Sequence, residues 1–141
     1  MNFISIMKPL IIVNGNSGTG KRTVSKFLEE RLTDYQRFSP DDTRRLMGKI
    51  EYDPRDTHEV LVKMYGEISE ILENEGGVIL HSHYKTSGGR QIVYDIASEY
   101  GVPVLLIECH CPEQIAKERI RSRPKKMNFI VHPQILLFMI D

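Results

Sequence analysis

A glycine-rich segment that follows a short apolar run is the feature that most restricts the fold of this 141-residue chain. Residues 10–13 are all aliphatic, which is typical of a strand buried on both faces, and the residues after the segment have helical spacing. The segment consists of Gly15, Asn16, Ser17, Gly18, Thr19, Gly20, Lys21, Arg22 and Thr23. A strand, a glycine-rich loop and a helix are therefore predicted in that order, with the G-x-x-x-x-G-K spacing of a phosphate-binding loop.

The chemistry of this loop explains the pattern. Glycines tolerate positive φ angles, so successive backbone N–H groups can turn toward one phosphate. The helix that follows adds unpaired N–H groups and the positive end of its dipole, and Lys21 adds a mobile charge. A dinucleotide-type G-x-G-x-x-G pattern fails because Thr23 stands at the third glycine. The alternative is a tight strand–helix turn that binds nothing.

Arg22 departs from the standard pattern, in which a Ser or Thr follows the lysine and its hydroxyl binds Mg²⁺. Thr23 comes one position later, so the loop ends in G-K-x-T. This ending resembles the G-K-G-T of nucleoside monophosphate kinases. The resemblance implies that Thr23 contacts a phosphate and that its role toward Mg²⁺ is indirect, because the metal in that group is held largely through water.

The composition bounds the class of protein. Lysine plus arginine and aspartate plus glutamate both number 19, so no overall charge favours nucleic acid or a membrane surface. No apolar run is long enough to cross a bilayer, and residues 1–7 lack the basic start of a secretory signal. We expect one cytoplasmic domain over residues 1–141, with no membrane partner and with reduced thiols.

Strands and helices alternate along the chain, which predicts a three-layer α/β/α domain with a mostly parallel sheet of about five strands. Two helices have apolar faces, formed by Val24, Phe27, Leu28 and Leu32 in the first and by Ile92, Val93, Ile96 and Ala97 in the fourth. The C-terminal tail, residues 127–141, is open: its apolar run at 135–140 could be a fifth strand, a short helix or a non-native end. Strands are predicted at 10–13, 35–38, 78–80 and 102–108, and helices at 20–32, 40–48, 57–75, 90–100 and 113–123.

The order of motifs resembles that of the small P-loop kinases grouped with polynucleotide 5′-hydroxyl kinases, zeta toxins and adenylylsulfate kinases. The motifs are the loop, an Asp-Asp-x-Arg segment at residues 41–44, the third strand and the last helix, so the similarity covers about residues 8–125. It implies a P-loop kinase fold, with ATP and Mg²⁺ as cofactors. It also implies a hydroxyl acceptor, on a small molecule or on a nucleic-acid 5′ end.

The resemblance also implies roles for individual residues. Asp41 would be the general base toward the acceptor hydroxyl and Arg44 would hold the acceptor, with Arg90 nearby. Arg119 and Arg123, one helical turn apart, would be arginines of a lid at about residues 113–130 that reaches over the ATP phosphates. The alternatives are acids that only begin a helix, a surface arginine, and a solvated basic face.

Two further clusters have a metal-like pattern. His81 stands where the family often has an aspartate that serves the metal, and His83 shares its side of the strand. Mg²⁺ prefers oxygen ligands, so we expect His81 to pack near the site or to bind substrate. Cys109 and Cys111 lack the wider pairing of a structural zinc site, which favours buried or half-buried thiols.

Three functions stay open at this stage. The first is a kinase that phosphorylates a hydroxyl. The second is a nucleoside monophosphate-type kinase, favoured by the G-K-x-T ending, in which Asp41 would have no hydroxyl proton to accept. The third is a nucleotide-binding protein that has lost catalysis, favoured by Arg22, His81 and the short tail.

Overall fold

The computed structural model describes residues 8–16, 19–84, 87–110, 127–132 and 135–140. In these residues it has six strands, four α-helices and a 3-10 helix. In chain order they are β1 (Leu10–Asn14), α1 (Lys21–Arg31), β2 (Tyr35–Phe38), α2 (Pro40–Leu46), the 3-10 helix (Pro54–Asp56), α3 (Thr57–Glu73), β3 (Gly77–Ser82), α4 (Ser87–Glu99), β4 (Val104–Cys109), β5 (Met127–His132) and β6 (Ile135–Ile140).

The strands form one sheet in the order β2-β3-β1-β4-β6-β5, which is parallel except for the edge strand β5. β1 lies between β3 and β4, and Asn14 at its end is opposite Ser82 on one side and Glu108 on the other. The chain passes from β1 to β2 on one side of β1 and from β3 to β4 across it. Ligands of open α/β sheets bind at such a reversal of strand order, beyond the carboxyl ends of the strands.

Two hydrophobic cores lie on opposite faces of the sheet, because successive side chains of a strand point to opposite faces. Leu10 and Ile12 of β1 face the core that includes residues of α3 and α4. Ile11 and Val13 face the other core, against which residues of α1 pack. The predicted three-layer α/β architecture with a mostly parallel sheet is therefore confirmed.

Two predicted core positions are wrong. Phe27 is 49% exposed and Ile92 is 48% exposed. Val24, Leu28 and Leu32, spaced four residues apart, pack against the sheet, and the centroid of the Phe27 ring instead lies 3.6 Å from the Arg31 guanidinium carbon. A single i, i+4, i+8 row was enough for this helix, so the wider apolar face predicted from the sequence is not used.

The C-terminal apolar run is a strand, and the sheet has one strand more than the five expected. Residues 127–132 form β5, which pairs antiparallel with β6. The predicted helix at 113–123 and most of the predicted lid lie outside the described residues. In the part of the chain that the structure describes, no helix is long and apolar enough to cross a membrane.

Two valines of α3 provide a matched test of this packing. Val60 is fully buried, whereas Val62 is 58% exposed. We expect Val60→Ala to lower the free energy of unfolding by about 2 kcal/mol, because two buried methyl groups are lost and a cavity is left. Val62→Ala should change it by less than about 0.5 kcal/mol. Urea unfolding of both variants checks this, and equal losses would contradict the packing described.

Candidate functional site

The loop after β1 is closed by short contacts that only glycine permits at its start. A Cβ atom on Gly15 would lie 2.5 Å from Thr19 Oγ1 and 2.9 Å from the Cys109 carbonyl oxygen. Thr19 donates its hydroxyl to the Asn16 carbonyl at 2.6 Å, and Gly20 has a φ of 93°, which favours glycine. Ser17 and Gly18 lie outside the described residues. The loop thus leads directly into α1, whose first N–H groups have no helical acceptor.

Asn14 fixes the chain that leaves β3 beside this loop. Its Oδ1 accepts from the Tyr84 backbone N–H at 2.7 Å, and its Nδ2 donates to the Tyr84 carbonyl at 3.0 Å. The Tyr84 hydroxyl also lies 2.7 Å from the Tyr65 hydroxyl of α3. Burial, together with this hydrogen bond, raises the pKa of Tyr84, so the phenol stays neutral. The network is a structural clamp that no local sequence pattern indicates.

Lys21 is the first residue of α1 and is half-buried. Burial lowers the pKa of its ammonium group, and this outweighs the opposite effect of Asp41 and Cys109. Within the described residues no carboxylate forms an ion pair with Lys21. A partly desolvated cation without a close counter-ion is stabilised by an anion, so this environment fits a bound phosphate.

The two adjacent aspartates of α2 have different surroundings. The Asp42 carboxylate contacts three side chains: Arg45 Nη1 at 2.9 Å, His81 Nε2 at 3.8 Å and Arg37 Nη1 at 4.0 Å. Asp41 is exposed and has no ion-pair partner within the described residues, although its charge acts on Lys21. Asp42 is therefore engaged inside the protein, and Asp41 is the carboxylate that is accessible to a ligand.

The pKa of Asp42 is lowered even though burial acts to raise it. The hydrogen bond with the Ser39 hydroxyl, followed by the charges of Arg22 and Arg37, reverses the effect of burial. Ser39 also accepts from the Asp42 backbone N–H at 3.0 Å and so caps α2. The aspartate is held ionised in a fixed orientation.

His81 is 5% exposed, and its pKa is lowered to about 4 by burial and then by the nearby charge of Arg37. Arg37 Nη1 lies 3.5 Å from His81 Nε2, and a guanidinium can only donate, so Nε2 must be the unprotonated nitrogen. Arg37 is also paired with Glu29 of α1 at 3.4 Å. This chain of contacts links α1, β2 and β3 behind the loop and keeps the imidazole neutral.

The structure places the other predicted residues as follows. Arg44 is 6% exposed, with its guanidinium 4.8 Å from the Tyr52 ring and its Nη1 3.5 Å from the Asp53 carbonyl, and its buried Nε has no partner among the described residues. Arg90 donates to the Tyr94 hydroxyl at 2.7 Å and lies 3.7 Å from Glu108. Arg119 and Arg123 lie outside the described residues.

The residues present fit nucleotide phosphates better than they fit a directly bound magnesium ion. Arg22 and Thr23 are both exposed, His81 is a neutral imidazole, and the Asp42 carboxylate is already engaged. Among the described residues no group of three or more His, Cys, Asp or Glu could hold a metal ion. Cys109 is buried, as predicted, whereas Cys111 lies outside the described residues.

A glycine-rich loop between a buried parallel strand and a helix, at the carboxyl edge of the sheet, defines a P-loop nucleotide-binding domain of the α/β class. The particular family follows from a direct comparison. The chain belongs to the AAA domain family AAA_33, whose model matches residues 10–133. No curated protein matches the chain.

Several solved structures share the fold. The chain is similar to one in the structure of the Pnkp1/Rnl/Hen1 complex, with a TM-score of 0.72 and 18% identity over 84% of this chain and only 40% of that one. It is also similar to the Mycobacterium tuberculosis APS kinase CysC, solved with AMPPNP and APS. The TM-score is 0.59 and the identity 20%, over 82% of this chain and 70% of the kinase. A third similar structure is that of the Deinococcus radiodurans tunicamycin resistance protein. The TM-score is 0.57 and the identity 18%, over 81% of this chain and 70% of that protein. The resemblance to P-loop kinases is confirmed at the level of the fold.

The environment of His81 predicts a pH dependence of stability. Its folded pKa of about 4 lies below the ordinary value of 6.5, so between these values the unfolded chain binds a proton that the folded chain does not. The free energy of unfolding should therefore fall as the pH is lowered from 6.5 to 4, by up to about 3 kcal/mol. His81→Gln should flatten the dependence of the unfolding free energy on pH in this range, whereas His83→Gln, at an exposed position, should not. Denaturant unfolding at several pH values measures this, and identical slopes in both variants would contradict the burial of His81 as a neutral group.

Proposed function

We propose that this protein is an ATP-dependent kinase that transfers the γ-phosphoryl group of ATP to a hydroxyl of a small molecule or of a nucleic-acid 5′ end. The observation that carries the proposal is the contrast between the two aspartates of α2. Asp42 is held by Arg45 and Arg37, whereas Asp41 is exposed and its charge acts on Lys21. One accessible carboxylate therefore lies near the cation that would hold the transferring phosphate.

The loop would bind the phosphates of ATP. Backbone N–H groups of the loop (residues 15–20) and of the first turn of α1 would contact the phosphate oxygens, with Lys21 at the outer phosphates. Lid arginines Arg119 and Arg123 would add charge from above. Mg²⁺ supplies further neutralisation when it accompanies ATP, and Thr23 would contact it only through water.

Asp41 would act as the general base. As the acceptor oxygen bonds to the γ-phosphorus and the bond to the β-phosphate oxygen breaks, the hydroxyl proton would pass to the Asp41 carboxylate and ADP would leave. A carboxylate already paired with a guanidinium, as in Asp42, is a weaker proton acceptor. The unpaired position of Asp41 supports its assignment as the base.

The acceptor would lie on the same side of α2. Arg44 follows Asp41 by three residues, so the two are neighbours on α2, with Arg44 buried and Asp41 exposed. Its guanidinium, oriented by the Tyr52 ring and the Asp53 carbonyl, is the side chain that we assign to holding the acceptor. Arg90 would lie farther away, next to Glu108, and would shape the site from α4. One structural neighbour belongs to an RNA repair complex, which supports including a 5′-hydroxyl oligonucleotide among the acceptors to be tested.

A second candidate function is nucleotide binding without transfer. The observation that favours it is that Arg22 and His81 stand at the two positions where related proteins have a residue with an oxygen ligand for the metal. It differs from the first in one outcome: ATP would bind tightly, but no acceptor would be labelled.

The base assignment gives a direct prediction. Asp41→Asn should lower kcat for phosphoryl transfer by about 100-fold or more, because the carboxylate that accepts the proton is lost. The matched control is Asp95→Asn, an exposed aspartate of α4 that accepts only from Gln91 among the described residues, and it should leave kcat within about twofold.

The measurement is the initial rate of labelled γ-phosphate transfer from ATP. The panel would contain a 5′-hydroxyl oligonucleotide, nucleosides, nucleoside monophosphates, adenylylsulfate and a metabolite extract. A wild-type rate in Asp41→Asn would remove Asp41 as the base. Product formed only from nucleoside monophosphates, on their phosphate groups, would favour a nucleoside monophosphate-type kinase.

A further inference from the structure

Arg22 lies beside the loop and differs from several nearby arginines in its ion pairing. Three other arginines, on α1, β2 and α2, each contact a carboxylate: Arg37 contacts Glu29 at 3.4 Å, Arg45 contacts Asp42 at 2.9 Å, and Arg31 lies 3.9 Å from a glutamate. Arg22 is exposed, directly follows Lys21, and forms no ion pair within the described residues. Its charge helps to lower the pKa of Asp42, but Asp42 already has a direct partner in Arg45 at 2.9 Å, so the Arg22 guanidinium itself can contact a ligand.

Arg22 lies next to the loop in the fold. It lies in the first turn of α1, where the Ser25 hydroxyl donates to its carbonyl at 3.0 Å and fixes the turn. The charges of Arg22 and Lys21 both act on His81, which is opposite Val13 in the sheet, two residues before Gly15. Both cations thus belong to the same end of β1 and β3.

We propose that Arg22 binds the phosphates of the nucleotide directly, beside Lys21, and supplies there the positive charge that a metal ion supplies where a hydroxyl follows the lysine. This inference rests on the proposed nucleotide site, but not on phosphoryl transfer. A guanidinium is always charged, and its planar fork matches two phosphate oxygens. A divalent ion and a guanidinium that contact the same phosphate oxygens repel each other, so Arg22 would take the place of an ion bound directly by the loop, whereas Mg²⁺ that accompanies ATP would be held only through water.

The consequence is that nucleotide binding should depend only weakly on Mg²⁺. The test is titration calorimetry of the full chain with AMPPNP, in Mg²⁺ and in EDTA. The wild-type Kd should differ by less than about threefold between the two conditions. Arg22→Ser, which restores the standard hydroxyl, should raise the Kd in EDTA by about 10-fold or more, with recovery in Mg²⁺. Arg22→Lys should keep most of the affinity in EDTA, because it keeps the charge.

Arg31→Ser is the matched control, because it removes an exposed arginine from the last turn of the same helix. It should bind AMPPNP as the wild type does in both conditions. The inference is overturned if wild-type affinity falls about 10-fold or more in EDTA, or if Arg22→Ser binds as the wild type does without Mg²⁺. If either result is obtained and Lys21→Ala abolishes AMPPNP binding, the proposed nucleotide site is supported and only the role of Arg22 is rejected. Loss of wild-type binding in both conditions overturns both.

Discussion

The parallel pairing of β1 with both β3 and β4 is the constraint that positions every other part of the site. It brings the ends of three strands to one edge, so Gly15 can approach the Cys109 carbonyl and Asn14 can clamp Tyr84. The glycine-rich loop is short, and its position depends on contacts with these neighbouring strands. Apolar β-branched residues in the strands keep the sheet rigid, because both of its faces are covered.

Charge is distributed unevenly over this rigid edge. Arg37 joins Glu29, Asp42 and His81, so that one aspartate is ionised and fixed and the histidine is neutral. Lys21 and Arg22 form no direct ion pair among the described residues, although Asp41 and Asp42 act on them through their charges. The protein thus neutralises its internal acids while it leaves two adjacent cations at the loop.

The sequence predicts the elements well where a local signal decides them. The aliphatic run before Gly15 and the cap at Ser39 marked β1 and α2 correctly. β5 was not among the predicted strands, although Phe129-Ile130-Val131 is a run of aromatic and β-branched residues typical of a strand. The pairing of Asp42 could not be predicted, because Arg37 and His81 come from different strands and are 44 residues apart. Only the strand order brings them together, and only then does Asp41 emerge as the accessible carboxylate.

Residues 15–23 are proposed to form a cradle for nucleotide phosphates, and every functional role assigned above requires it. This cradle can be tested by the NMR chemical-shift change of backbone amides when AMPPNP is added to the isotope-labelled protein. We expect the largest shifts at Gly15, Gly20 and Lys21, where N–H groups would contact phosphate, and no shift at Gly66 in α3. Unchanged loop amides at a nucleotide concentration that saturates binding would refute the cradle, since the nucleotide would then bind elsewhere.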